Sequence, residues 1–137
     1  MKQLNPYLAF GGTCEEAMKF YKDAFGGELH MQTFGESPQE VPDDYKQKIM
    51  HAELKTDGIH LMASDTMPGH VVNNGDNITL SIGMTDLDEQ AKLFHKLSAG
   101  GRVTMPLQDT FWGARFGMLV DKFGIHWMLN CALPDQQ

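Results

Sequence analysis

The chain contains itself twice, and an internal repeat of this size constrains the fold more than any local propensity does. The segment from Leu8-Ala9-Phe10 through Glu16-Ala17-Met18-Lys19-Phe20-Tyr21-Lys22 to Gly26-Gly27-Glu28-Leu29 matches Ile82-Gly83-Met84 through Gln90-Ala91-Lys92-Leu93-Phe94-His95-Lys96 to Gly100-Gly101-Arg102-Val103. The landmarks Ala17/Ala91, Phe20/Phe94, Lys22/Lys96 and the two glycine pairs all keep one offset. A second match, Gly58-Ile59-His60-Leu61-Met62 against Gly124-Ile125-His126-Trp127-Met128, closes each half at a shorter offset. The first half therefore carries an extra loop, and the polar, proline-bearing stretch from Gly35 to Asp44 is the natural place for it. The expectation is a single domain over residues 1–137 with the repeat at 5–65 and 77–131.

Each half reads as strand, helix and three strands. Residues 5–10 alternate and are β-prone. Thr13 is a suitable N-cap with Glu16 three residues on, the pattern of a capping box, and Ala17, Phe20, Tyr21, Ala24 and Phe25 recur at helical spacing. Gly26-Gly27 supplies the stop. Strands follow near 28–34, 48–56 and 59–65, with Asp57-Gly58 as a two-residue hairpin turn of the favoured primed type. The second half repeats the plan with a strand at 77–84, a helix at 87–99, and strands near 102–109, 115–121 and 125–131, the last two joined by Lys122-Phe123-Gly124. The fold class is α+β, tandem βαβββ modules forming a half-barrel.

The bulk properties narrow the partners. With 137 residues, 42% hydrophobic and 21% charged, the chain has the composition of an ordinary globular domain. A formal charge of −7 with scattered Lys and Arg offers no phosphate-tracking surface, so nucleic acid is excluded as a partner. No apolar run reaches the length of a membrane span, and the N-terminal residues lack the apolar core of a signal peptide, so a cytoplasmic location is expected. Cys14 and Cys131 have no CxxC spacing and are expected to be buried thiols.

Alternation along strands sorts side chains into two faces. Ile78, Leu80, Ile82 and Met84 share one face and should meet a helix; Asn77, Thr79, Ser81 and Gly83 share the other. Ile125, Trp127 and Leu129 oppose His126, Met128 and Asn130, and the repeat sets Ile59, Leu61 and Ala63 against His60, Met62 and Ser64. Asn5 and Tyr7 oppose Leu8 and Phe10. Met62 and Met128 in matching positions favour a mixed polar and soft-apolar cavity over a merely solvated face.

Six motifs carry a family resemblance across nearly the whole chain: Asn5-Pro6-Tyr7-Leu8-Ala9-Phe10, Ala17-Met18-Lys19-Phe20-Tyr21, His51-Ala52-Glu53-Leu54, Met62-Ala63-Ser64-Asp65, Asp109-Thr110-Phe111-Trp112-Gly113 and Asp121-Lys122-Phe123-Gly124-Ile125-His126-Trp127-Met128. With the doubled βαβββ plan, the sequence resembles the vicinal oxygen chelate superfamily, which groups glyoxalase I, bleomycin-resistance proteins and extradiol dioxygenases, and more closely its PhnB branch. The resemblance implies two inward metal ligands per half, one from the first strand and one from the last, typically His or Glu. Carried over, those slots fall on Asn5 and Met62, and on Thr79 and Met128, with Tyr7, Asn77 or Ser81 reached by a slip of two. Amide, hydroxyl and thioether groups bind Zn²⁺, Mg²⁺ or Fe²⁺ poorly. The sequence thus departs from the family where metal chemistry sits. A methyltransferase label, also applied to this branch, finds no glycine-rich nucleotide loop beyond Gly11-Gly12 after the first strand.

His51 and Glu53 lie two apart on one strand face, and are the candidate catalytic pair, either a base with its orienting carboxylate or two metal ligands. His60 and His126 occupy matching places. Trp112, at a hairpin tip beside Phe111, either closes a pocket mouth or forms an interface between two copies. Phe34, Met50 and Met105 are expected in the core or a pocket wall, and His30, His70 and His95 on loops or helix surface. The expected ligand-binding residues are Asn5, Tyr7, His60, Met62, Ser64, Asn77, Thr79, Trp112, His126 and Met128, with no metal ligands and no cofactor. The functional expectation is a homodimeric PhnB-like protein that binds a small molecule in a metal-poor pocket. Two alternatives remain: a divalent-metal-dependent lyase, isomerase or dioxygenase built on His51 and Glu53, and a drug-sequestering resistance protein.

Overall fold

The first helix shows why the core forms where it does. Its apolar residues Cys14, Ala17, Met18 and Tyr21 fall at spacings of three and four, make one stripe and are fully buried. That stripe covers one face of a sheet whose alternate residues Ala52, Leu54, Leu61 and Ala63 are buried in turn. In the computed structural model, which describes residues 1–134, these elements belong to a first compact unit, residues Met1–Asn73. Its order along the chain is β1 (Tyr7–Phe10), α1 (Cys14–Phe25), β2 (Glu28–Thr33), β3 (Ile49–Thr56) and β4 (Ile59–Asp65). The sheet order is β1-β4-β3-β2, with β1 parallel to β4 and the other pairs antiparallel.

The second unit, from Asn74 onward, has β5 (Leu80–Met84), α2 (Leu87–Ser98), β6 (Arg102–Asp109), β7 (Ala114–Val120) and β8 (His126–Ala132). Its sheet order, β5-β8-β7-β6, and its single parallel pair repeat those of the first. Tyr7 pairs with Met62 in one sheet and Ser81 with Met128 in the other, so the two methionines occupy equivalent places. The chain is an α+β protein of tandem βαβββ modules. The extra loop of the first unit lies between β2 and β3, where two short 3-10 turns, at Phe34–Glu36 and Asp43–Tyr45, fold the segment over a buried Phe34 whose ring packs at a tilt against Tyr45.

Several local expectations need correction. The first strands begin later than alternation predicts, at Tyr7 and Leu80, which leaves Asn5, Asn77 and Thr79 outside them. Asn5 instead bonds Gln3 near the chain start, and Ile78, expected against a helix, is exposed. Pro6 ends the first ladder: its carbonyl accepts from the Met62 amide, but it has no N–H to donate back toward the earlier residues of β4. Thr13 precedes α1, but its side chain makes no cap and the box with Glu16 does not form. The buried Asp65 takes over, its Oδ1 accepting from the Gly12 and Cys14 amides and its Oδ2 from Ile49. An ionised carboxylate accepts more strongly than a hydroxyl, so a distant Asp outcompetes the local Thr. In α2 the cap is local, with Asp86 Oδ1 accepting from the Asp88 and Glu89 amides. The Asp57-Gly58 turn does connect β3 to β4, but only Gly58 has positive φ, so it is not the turn with two left-handed residues.

Candidate functional site

The face of the first sheet turned away from α1 is the polar one. Strand alternation puts His51, Glu53 and Lys55 of β3 there, with His60, Met62 and Ser64 of β4 and Tyr7 of β1. Cross-strand register sets Tyr7, Met62, Glu53 and His30 in one row, from β1 through β4 and β3 to β2. His30 is thus a strand residue beside Glu53, not the loop or helix-surface residue that the sequence suggested. Neither it nor Lys55 was found by motif reading, because no repeat or spacing marks them. Only pairing with Glu53 does.

These side chains meet. Tyr7 Oη lies 3.0 Å from His51 Nδ1, and the two rings are 5.7 Å apart. His51 Nε2 stands 3.6 Å from Glu53 Oε1, and His60 Nε2 stands 3.5 Å from the same oxygen. Lys55 Nζ is 3.7 Å from Glu53 Oε2. His60 Nε2 is shielded from solvent and has no hydrogen-bond partner among the described residues. Desolvation at the sheet surface raises the Glu53 carboxyl, but His51, Lys55 and His60 together outweigh it and hold the group below its ordinary value. Glu53 is therefore a carboxylate at neutral pH, flanked by two imidazoles and an ammonium.

The second unit presents a different surface at the same places. Met118 stands where Glu53 does, Phe116 where His51 does, and Ser81 where Tyr7 does, each matched by its pairing partner on β8. Trp112 Nε1 donates to Asn130 Oδ1 at 3.3 Å, and its ring packs edge-on against Phe116 and Phe111. Met128 sits between Ser81 and Met118, and His126 lies on the same strand face, opposite Val120. The structure thus brings Tyr7, His51, Glu53, His60 and Met62 together with Ser64 on their face, and gathers Trp112, Met128 and His126 on the second sheet. Asn5, Asn77 and Thr79 join neither sheet.

The donor set does not fit a resident divalent metal. After correction of the strand starts, the first- and last-strand slots hold Tyr7 and Met62 in one unit and Ser81 and Met128 in the other, a phenol, a hydroxyl and two thioethers. His51 and His60 both turn Nε2 toward the same Glu53 oxygen, at 3.6 and 3.5 Å, so the carboxylate stands between the two imidazoles. Among the described residues no group of three His, Cys, Asp or Glu side chains is arranged to hold an ion. The buried thiols add nothing: burial, then the Asp65 and Glu15 charges, push Cys14 up to about 12, and Cys131 is raised too, chiefly by desolvation.

Comparison with known proteins agrees with the fold. The model of the Glyoxalase/Bleomycin resistance protein/Dioxygenase superfamily matches residues 3–129. Protein YjdN of Escherichia coli strain K12 is 35% identical over 139 residues, covering 93% of each chain. The crystal structure of protein PA1353 from Pseudomonas aeruginosa superposes with a TM-score of 0.88 at 43% identity, over 97% of this chain and 99% of that one. A structure described as a putative 3-demethylubiquinone-9 3-methyltransferase, PhnB protein, from Bacillus cereus has a TM-score of 0.78 at 26% identity, over 96% and 100%.

Proposed function

The chain belongs to the Glyoxalase/Bleomycin resistance protein/Dioxygenase superfamily, and from that premise we propose that it binds a small molecule on the polar face of β1-β4-β3-β2, without a resident metal. Tyr7, His51, Glu53, His60, Met62 and Ser64 supply the contacts there. The second unit has a soft-apolar surface of its own at Trp112 and Met128, with His126 on the same strand face as Met128. The observation that carries this reading is the Tyr7–His51–Glu53–His60 cluster, set on the sheet face that α1 leaves uncovered. Polar groups joined in a chain and backed by buried strand residues are the kind of convergent, oriented set that ligand sites use.

A metal-dependent member of the family polarises substrate oxygens with its cation. Here imidazole, carboxylate and phenol replace it with hydrogen bonding and proton transfer. The methyltransferase description belongs to the Bacillus relative; in this chain only Gly11-Gly12 follows β1, too little for a nucleotide-binding loop. The assembly we propose is a cytoplasmic homodimer. The exposed hairpin tip of Phe111 and Trp112 supports a contact between copies, and sedimentation should return the mass of two chains.

The ligand site is tested by amide NMR of the whole chain against a set of small polar aromatic compounds. Binders should shift residues 7–9, 51–55 and 60–64. Binders that shift only residues around Trp112 and Asn130 would move the site to the second unit, and a stoichiometric metal requirement for binding would restore the metal-dependent alternative.

A further inference from the structure

The two sheets provide an internal control on what the fold itself requires. Both have the same strand order and the same pairing, yet Ser81, Phe116 and Met118 occupy the second-sheet places that correspond to Tyr7, His51 and Glu53 in the first. The architecture therefore does not demand a phenol, an imidazole and a carboxylate at those points. Their contacts are also directional. An ionised carboxylate only accepts hydrogen bonds, and the His51 nitrogen that faces Glu53, at 3.6 Å, is Nε2, the place where a ring proton would be directed at it. A ring proton on Nε2 would leave the Nδ1 lone pair facing Tyr7 Oη, 3.0 Å away, which would then donate to it. Tyr7 is half exposed, so its own oxygen lone pairs remain open to a ligand. His60 and Lys55 lie against the same carboxylate and keep it charged.

We propose that Tyr7, His51 and Glu53 form a directed proton relay, in which the Tyr7 phenol exchanges a proton with a hydroxyl of the bound ligand, and that this ligand is a weakly acidic hydroxyl compound, a phenol or an enol. The inference rests on the reading that this face holds the ligand. In the transfer the ligand O–H bond breaks and a new O–H bond forms at Tyr7 Oη. The proton that Tyr7 carried passes to His51 Nδ1 at the same time. The ligand becomes an oxyanion and His51 an imidazolium, which the Glu53 carboxylate stabilises; net charge is unchanged and nothing is oxidised or reduced. Tyr7 is the catalytic residue, since of the three it is the one that exchanges a proton with the ligand. His51 and Glu53 are positioning residues, in the order of nucleophile, imidazole and carboxylate familiar from hydroxyl activation in hydrolases.

The test has two arms on the full chain. Heteronuclear NMR of the ring nitrogens at neutral pH should find the His51 proton on Nε2, with that preference lost in Glu53→Ala. A proton on Nδ1 in the wild type overturns the relay whatever the ligand is. In the second arm the probe is para-nitrophenol, whose anion is coloured. Wild-type protein should raise the coloured fraction of bound probe, and Tyr7→Phe should bind the probe with that increase lost. Equal colour with both proteins overturns the relay. Failure of the wild type to bind the probe overturns the ligand class. Probe resonance shifts confined to other surfaces would instead overturn the placement of the site on this face.

Discussion

At the scale of single residues, Asp65 and Glu53 show two uses of a carboxylate on one strand pair. Asp65 is buried and accepts from three backbone amides, tying the loop before α1 to the start of β3. Asp65→Ala would take the partner from the buried Cys14 and Ile49 amides and from the part-buried Gly12 amide, and urea denaturation should show a loss of about 3–5 kcal/mol. Glu53 is on the open face and its carboxyl is depressed, with desolvation opposed by His51, Lys55 and His60. A depressed carboxyl stabilises the fold above its unfolded-state value and loses that contribution as pH falls through the lower, folded-state value. Glu53→Gln should therefore differ from wild type in melting temperature at neutral pH, and the two should converge below the ordinary carboxylate range. A constant difference down to strong acid would show that the charge contacts contribute nothing. The sequence pointed to His51 and Glu53 by parity alone. It could not reveal Asp65 as a cap, since nothing local distinguishes a carboxylate that bonds residues far away in the chain.

At the scale of elements, both helices were legible because apolar residues at a 3.6-residue period can be satisfied in only one way on a sheet. Strand starts were less legible. Alternation continues through Asn5 and Asn77, but pairing begins only at Tyr7 and Leu80, and where a strand meets its partner is a tertiary property. The repeated glycines after each helix have a physical reason that sequence matching could not supply. A Cβ at Gly101 would stand 2.2 Å from the Val120 carbonyl oxygen, and one at Gly27 would stand 2.3 Å from that of Lys55. Each helix returns to its sheet at van der Waals contact with a strand backbone, which cannot give way as a flexible side chain would. Gly101→Ala should cost about 3 kcal/mol in denaturant melts. Gly83→Ala, where nothing lies within 4 Å of the added methyl group, should fall within about 0.5 kcal/mol of wild type. Equal effects would contradict the close packing.

At the scale of the molecule, one topology is used twice and given two chemistries. The first sheet exposes a phenol, imidazoles and a carboxylate, while the second exposes Phe116, Met118, Met128 and the Trp112–Asn130 pair. The repeat and the family were legible in the sequence, because a doubled βαβββ plan leaves a periodic trace. The polar cluster was legible only in part: His51, Glu53, Tyr7 and His60 could be named, but their meeting depends on the β1-β4-β3 order, which brings residues 44 positions apart into contact. Both units lack the donor types that would hold a hard cation in the first- and last-strand slots. The most direct measurement is a thermal melt of tag-free, chelator-treated protein with Zn²⁺, Mn²⁺ and Ni²⁺ added in turn. A metal bound at a hundredfold excess over its Kd would stabilise the fold by about 2.7 kcal/mol. The expected result is an unchanged melting temperature with all three ions. A stabilisation of that size, lost in His51→Ala, would contradict a metal-independent site.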